Sequence, residues 1–136
     1  MSFDPAPETC LRRNPITITH AVLDAQALSA FDRVKSDDGT NIVIELIDIY
    51  LKATPDRIEQ INLARASADS VLLKRLAHTL KGSSSTLGLQ RMARVCQELE
   101  SVETNFTDNF DLVELLENEF VKARRALLVE RNRRIF

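Results

Sequence analysis

From Val22 to the C-terminus the apolar residues of this chain return at steps of three and four, with no stretch of strand-like alternation. That spacing lays apolar side chains along one stripe of an α-helix. The pattern is plainest near the end, at Leu112, Leu116, Phe120, Ala123 and Leu127. Only three Gly and four Pro occur in 136 residues, so there are few points at which a helix must stop. Long amphipathic helices with short connections can bury their stripes only against one another. The expected fold is therefore all-α, an antiparallel helical bundle.

Residues 1–20 hold three of the four prolines and read as an extended arm, with Ile16 and Ile18 available to tuck against the bundle. Residues 21–136 read as the folded domain. Asp24 caps a predicted helix over about 25–35, with Leu28, Phe31 and Val34 toward the core. Ser36-Asp37-Asp38-Gly39 is a turn. Thr40 caps a second helix through Ala53. Thr54-Pro55 then restarts the chain, because Thr suits an N-cap and Pro the first helical position. That helix runs to about Ala66, with Ile58, Ile61 and Leu63 apolar. Ser67 or Asp69 opens the next, which continues to Leu87 and stops at Gly88. Leu89 to about Glu103 forms another, striped by Leu89, Met92, Cys96 and Leu99. Asn105 to Asn109 is a polar break before the last helix.

The length fits one domain with a real core. A net charge of −2 and a pI near 5.7 do not favour nucleic acid or a membrane surface as partner. The C-terminal Arg124, Arg125, Arg131, Arg133 and Arg134 complement the dipole of the last helix. Residues 1–17 lack a signal-peptide pattern, and no apolar run reaches transmembrane length, so a cytoplasmic protein is expected. Cys10 and Cys96 are then free thiols, and neither belongs to a metal-ligand cluster. His20 lacks the neighbours that distinguish the other histidine and is assigned no role.

That other histidine is His78. On a helical wheel of residues 69–87, Leu73, Leu76, Leu80 and Leu87 gather on one side. Val71, Lys74, Arg75, His78, Lys81, Gly82 and Ser85 gather on the other. His78 is thus an outward residue with Lys74 at i−4 and Lys81 at i+3. Two cations lower the basicity of a neutral imidazole, which brings no structural benefit, but they suit a site that will receive a dianionic phosphoryl group. Gly82 costs about 1 kcal/mol in a helix interior relative to Ala. Close approach of another protein or of the phosphoryl group gives it a reason. Ser83 and Ser84 flank the buried stripe and read as packing residues. Lys81-Gly82-Ser83 has the wrong order for a phosphate-binding loop, and no nucleophile elbow is present.

These residues resemble the His-x-x-Lys-Gly-Ser pattern of the histidine-containing phosphotransfer (HPt) domains, at His78, Lys81, Gly82 and Ser83. The likeness extends through Leu87-Gly88-Leu89-Gln90-Arg91 and Val95-Cys96 to Glu98-Leu99-Glu100, and upstream to Tyr50-Leu51, Thr54-Pro55 and Ile58. The resemblance implies an antiparallel four-helix bundle with the first helix as an additional N-terminal cover, and a phosphorelay intermediate without an ATP site, a phosphocarrier rather than an enzyme in its own right. His78 would accept a phosphoryl group on Nε2 from one receiver-domain aspartate and pass it to another. Lys81 would stabilise the phosphoryl charge, and Gly82 would keep the surface open. Glu100, with Gln97 one turn earlier, would orient the imidazole through its other nitrogen. Lys74, Arg75, Ser85, Gln90, Arg91 and Arg94 are candidates for the docking face. The implied partners are response-regulator receiver domains and a hybrid sensor histidine kinase. No cofactor is expected on this chain, Mg²⁺ belonging to the receiver, and a monomer suffices. The competing reading is a non-catalytic helical adaptor that binds a receiver or kinase without carrying phosphate.

Overall fold

The computed structural model describes residues 21–34, 39, 41–101 and 106–135, the stretch 106–111 as backbone only. The N-terminal arm, the turn at 36–38, the Thr40 cap and Asn105 lie outside the described residues. Among the described residues five helices follow in order: α1 (Ala25–Ser29), α2 (Ile42–Ala66), α3 (Ser70–Thr86), α4 (Gln90–Ser101) and α5 (Phe106–Arg133). α2 packs on α3 and α5, and α4 packs on the same two, so the four long helices close a ring around one core. The all-α bundle expected from the sequence is the fold observed.

α2 departs from expectation. Its buried residues Val43, Ile47, Tyr50, Thr54, Ile58, Ile61 and Ala64 form one uninterrupted stripe. The helix runs straight through the predicted restart at Thr54-Pro55. Thr54 faces the core as part of that stripe, and the exposed Pro55 removes only one backbone donor. Continuous burial along 25 residues outweighs that local loss. The cap is Asn41, whose Oδ1 accepts from the Val43 amide at 2.7 Å. Leu63 is off the stripe and exposed.

α1 is shorter than the predicted 25–35. Asp24 caps it as expected, accepting from the Gln26 amide. Leu28 is fully buried and Phe31 packs partly against the core, but Val34 is exposed. α1 is tied to the α3–α4 turn by the Asp24 amide, which donates to the Gly88 carbonyl at 2.8 Å. Gly88 has φ +78°, and a Cβ there would lie 2.5 Å from the Asp24 carbonyl oxygen. Gly88→Ala would therefore carry about 1–2 kcal/mol of left-handed strain and also displace α1. The expected result is a melting temperature lower by roughly 5–10 °C. An unchanged melting curve would mean that α1 does not dock as described.

α3 opens at Asp69, whose carboxylate accepts from the Leu72 amide. Leu73, Ala77, Leu80 and Ser84 are its buried face. Ser84 Oγ meets the Tyr50 hydroxyl at 2.8 Å in the core. Burial holds the Tyr50 phenol well above its ordinary pKa, the Ser84 bond acting in the opposite sense. The pair is thus a neutral pin between α2 and α3. The packing role assigned to Ser84 agrees with this.

α5 begins at Phe106, so most of the predicted polar break at 105–109 is helical. Leu112, Leu116, Ala123 and Leu127 are buried as expected, and Phe120 is partly buried beside Tyr50. Glu119 is also in the core, 2% exposed, and there it receives both arms of the Arg91 guanidinium at 2.9 Å. At the chain's end, Arg134 donates to both oxygens of Asp32 at 2.8 and 3.0 Å. Arg131 pairs with Asp48, and Arg133 with Glu130. Three of the C-terminal arginines are thus occupied with carboxylates of this chain.

Candidate functional site around His78

His78 stands on the outer face of α3 with its side chain 68% exposed. Its position opposite Leu73 and Leu80 follows from the helical period, and the structure agrees with the wheel. The Nδ1 atom lies 2.7 Å from Glu100 Oε2, on α4. Glu100 is oriented by α4, whose opposite face is anchored in the core by Met92, Val95, Cys96 and Leu99. Lys81 Nζ lies 2.7 Å from the other oxygen, Glu100 Oε1, meeting it off the hydrogen-bonding direction as an ion pair.

The contact with Lys81 is the largest influence on the Glu100 carboxyl and lowers its pKa. Partial burial opposes it, and the His78 bond adds a further lowering. Glu100 is therefore ionised at neutral pH. An ionised carboxylate can only accept, so Nδ1 carries the hydrogen, and the lone pair of the neutral imidazole falls on Nε2. A nitrogen nucleophile is thus presented on the helix surface, and the ammonium of Lys81 is held beside it.

Gly82 follows on the same face, and among the described residues nothing lies within 4 Å of a Cβ built there. Packing within the chain therefore does not require a glycine. Gly82→Ala is expected to leave stability unchanged or raise it, by up to about 1 kcal/mol of helix propensity. A clear fall in thermal melting would show that α3 needs glycine for its own fold.

Beneath the site Cys96 is fully buried. Burial pushes its thiol up to about 12, with the Glu100 charge adding to that and Lys81 opposing it. The group is a neutral packing residue, not a thiolate nucleophile.

Among the other residues named from sequence, Arg75, Ser85, Gln90 and Gln97 are exposed and Lys74 is half-buried. The Nδ1 partner is Glu100, one turn beyond Gln97. Arg94 pairs with Glu98 along α4 at 3.4 Å. Arg91 is engaged with Glu119 at the α4–α5 seam, which gives it a structural role that sequence reading did not assign. Sequence reasoning also passed over Arg57, which donates to Ser83 Oγ at 3.4 Å from α2. It borders an apolar groove of about 210 Å³ between α2 and α3, lined also by Leu46, Ile49 and Thr86. The one signal for this in the sequence is Ile49, a large apolar residue on the outer side of α2.

Among the described residues no group of three or more His, Cys, Asp or Glu is placed to hold a metal ion. None of their helices is long and apolar enough to cross a membrane.

A family model for the Hpt domain matches residues 45–126, from the first turn of α2 into α5. The chain belongs to the Hpt domain family. The matched span contains His78, Lys81, Gly82 and Glu100, and leaves α1 outside it. The Hpt chain is 37% identical over 62 residues to sensor protein TorS of Escherichia coli (strain K12), covering 46% of this chain and 7% of that protein. It is 30% identical over 101 residues to multistep phosphorelay regulator 1 of Schizosaccharomyces pombe (strain 972), covering 74% and 32%. The chain thus spans a third or less of the length of these two relatives. It also superposes on the crystal structure of histidine-containing phosphotransfer protein B (HptB) from Pseudomonas aeruginosa PAO1. The TM-score is 0.72 at 28% identity, covering 82% of this chain and 96% of that one. These matches support a phosphotransfer role in phosphorelays for this Hpt domain.

Proposed function

We propose that this Hpt domain is a phosphorelay intermediate that carries a phosphoryl group on His78 Nε2 between receiver-domain aspartates. The observation that supports this best is an exposed imidazole whose Nδ1 is held by an ionised carboxylate, leaving Nε2 as the nucleophile. The Nε2 lone pair attacks phosphorus of the receiver's aspartyl phosphate. The bond from phosphorus to the aspartyl oxygen breaks, and the aspartate leaves with its electron pair. No proton has to depart, since Nδ1–H stays in place and the positive charge of the N-phosphoryl imidazolium faces Glu100. Return transfer to a second aspartate runs through the same geometry.

Lys81 compensates phosphoryl charge, and open space at Gly82 lets the receiver approach. The receiver contributes the aspartate and its Mg²⁺. It docks on the face of this chain that takes in Lys74, Arg75, Ser85, Gln90 and Arg94. The partners that fit this reading are a hybrid sensor histidine kinase and a response regulator, in the cytoplasm.

The test is incubation with a receiver domain carrying radiolabelled aspartyl phosphate. Label is expected to move to this protein in a form labile to acid and stable to base. A receiver that binds tightly while no label ever moves would overturn this reading and favour a non-catalytic adaptor.

A further inference from the structure

Glu100 divides its two oxygens between the two groups that matter most, Oε2 on His78 Nδ1 and Oε1 on Lys81 Nζ, each at 2.7 Å. The second contact sets a condition on the first step of transfer. While Lys81 is paired with Glu100, its charge is already neutralised. The arriving phosphoryl group then gains little from it. A phosphoryl group on Nε2 brings two negative charges next to a carboxylate that is negative as well. The arrangement is relieved if the ammonium leaves Oε1 for a phosphoryl oxygen, and the new imidazolium charge then takes over the neutralisation of Glu100.

We infer that Glu100 is a positioning residue that also holds Lys81 in reserve in the unphosphorylated protein and releases it to the phosphoryl group once His78 is modified. This rests on the reading of His78 as phosphoryl carrier. Lys81 is one turn from His78 on the same helix, so the move needs only rotation about its own side chain. Its side chain is 31% exposed, which leaves it room to swing. Phosphoryl loss reverses the exchange. Glu100 thus competes with the phosphoryl group for one cation and lowers the stability of phosphohistidine relative to a site with free Lys81. That keeps the carrier able to pass the group onward.

A double-mutant cycle on the transfer equilibrium tests this. Wild type, Lys81→Met, Glu100→Gln and the double variant are each equilibrated with one phosphorylated receiver, and label is partitioned between aspartate and histidine. Gln keeps an acceptor for Nδ1–H but cannot hold an ammonium by charge. If Lys81 is held in reserve, losing it should reduce the phosphohistidine fraction at least about threefold more in the Glu100→Gln background than in wild type. Equal losses in both backgrounds would overturn the inference, because Lys81 and Glu100 would then act independently. A variant that fails to fold is replaced by Lys81→Gln or Glu100→Asn, both uncharged, with His78 ¹⁵N shifts checking that Nδ1 is still protonated. If none of the four proteins, wild type included, takes label on histidine, it is the carrier reading that fails.

Discussion

His78→Gln should take no label from any phosphorylated receiver, a loss of at least ~10³-fold that brings transfer to background. The amide nitrogen of Gln has no available lone pair for attack on phosphorus, so the effect is on chemistry alone. The fold should not notice the change. His78 is largely solvent-exposed, and a Gln amide hydrogen can still be donated to Glu100, leaving Lys81 where it stands. The comparison is a time course of label transfer alongside a thermal melt. A variant that melts normally yet labels at the wild-type rate would move the acceptor to another residue.

The largest expected effect on stability lies away from the site. Arg91→Met leaves the Glu119 carboxylate in the core with only Lys122 beside it among the described residues, its ammonium 3.6 Å from Oε2. Breaking a buried ion pair from one side costs about 3–5 kcal/mol, and the remaining lysine places this case near the low end. The pH dependence gives an independent check. In the wild type the Arg91 bond holds the Glu119 carboxyl below its ordinary range, against the effect of burial. That stabilisation is present above the ordinary carboxylate range and is lost as pH falls through the lowered value. In the variant the bond is gone and burial raises the Glu119 pKa. The deficit should therefore be large at pH 7 and shrink as pH falls toward about 4. Denaturant titrations at the two values would measure it. Arg91→Met combined with Glu119→Leu should recover most of the loss, and a double variant no more stable than the single one would refute the account.

Much of this was legible in the sequence. The leucines of α3 placed His78 outward and Gly88 marked the end of its helix, and both hold in the structure, while of the two starts the sequence offered, Ser67 and Asp69, the structure takes Asp69. Glu100 was reached through the family resemblance rather than from spacing, since a contact across 22 residues leaves no periodic trace. Other features were illegible for the same reason. Arg91 with Glu119 spans 28 residues, and Arg134 with Asp32 spans 102. Each residue alone looks like a solvated charge. The misread restart at Thr54-Pro55 has a different origin. Local capping chemistry there is good, but the buried stripe from Val43 to Ala64 passes through it, and packing decided.

The imidazole and the carboxylate that orients it sit on separate helices, joined through the turn at Gly88. No segment of the chain shorter than the α3–α4 hairpin can therefore assemble them. The tautomer of His78 is a tertiary property, absent from the unfolded polypeptide. The ring ¹⁵N shifts of His78 should consequently move toward those of a free imidazole whenever those two helices part. They would then serve as a built-in gauge of hairpin pairing, readable on the unmodified protein before any phosphate is added.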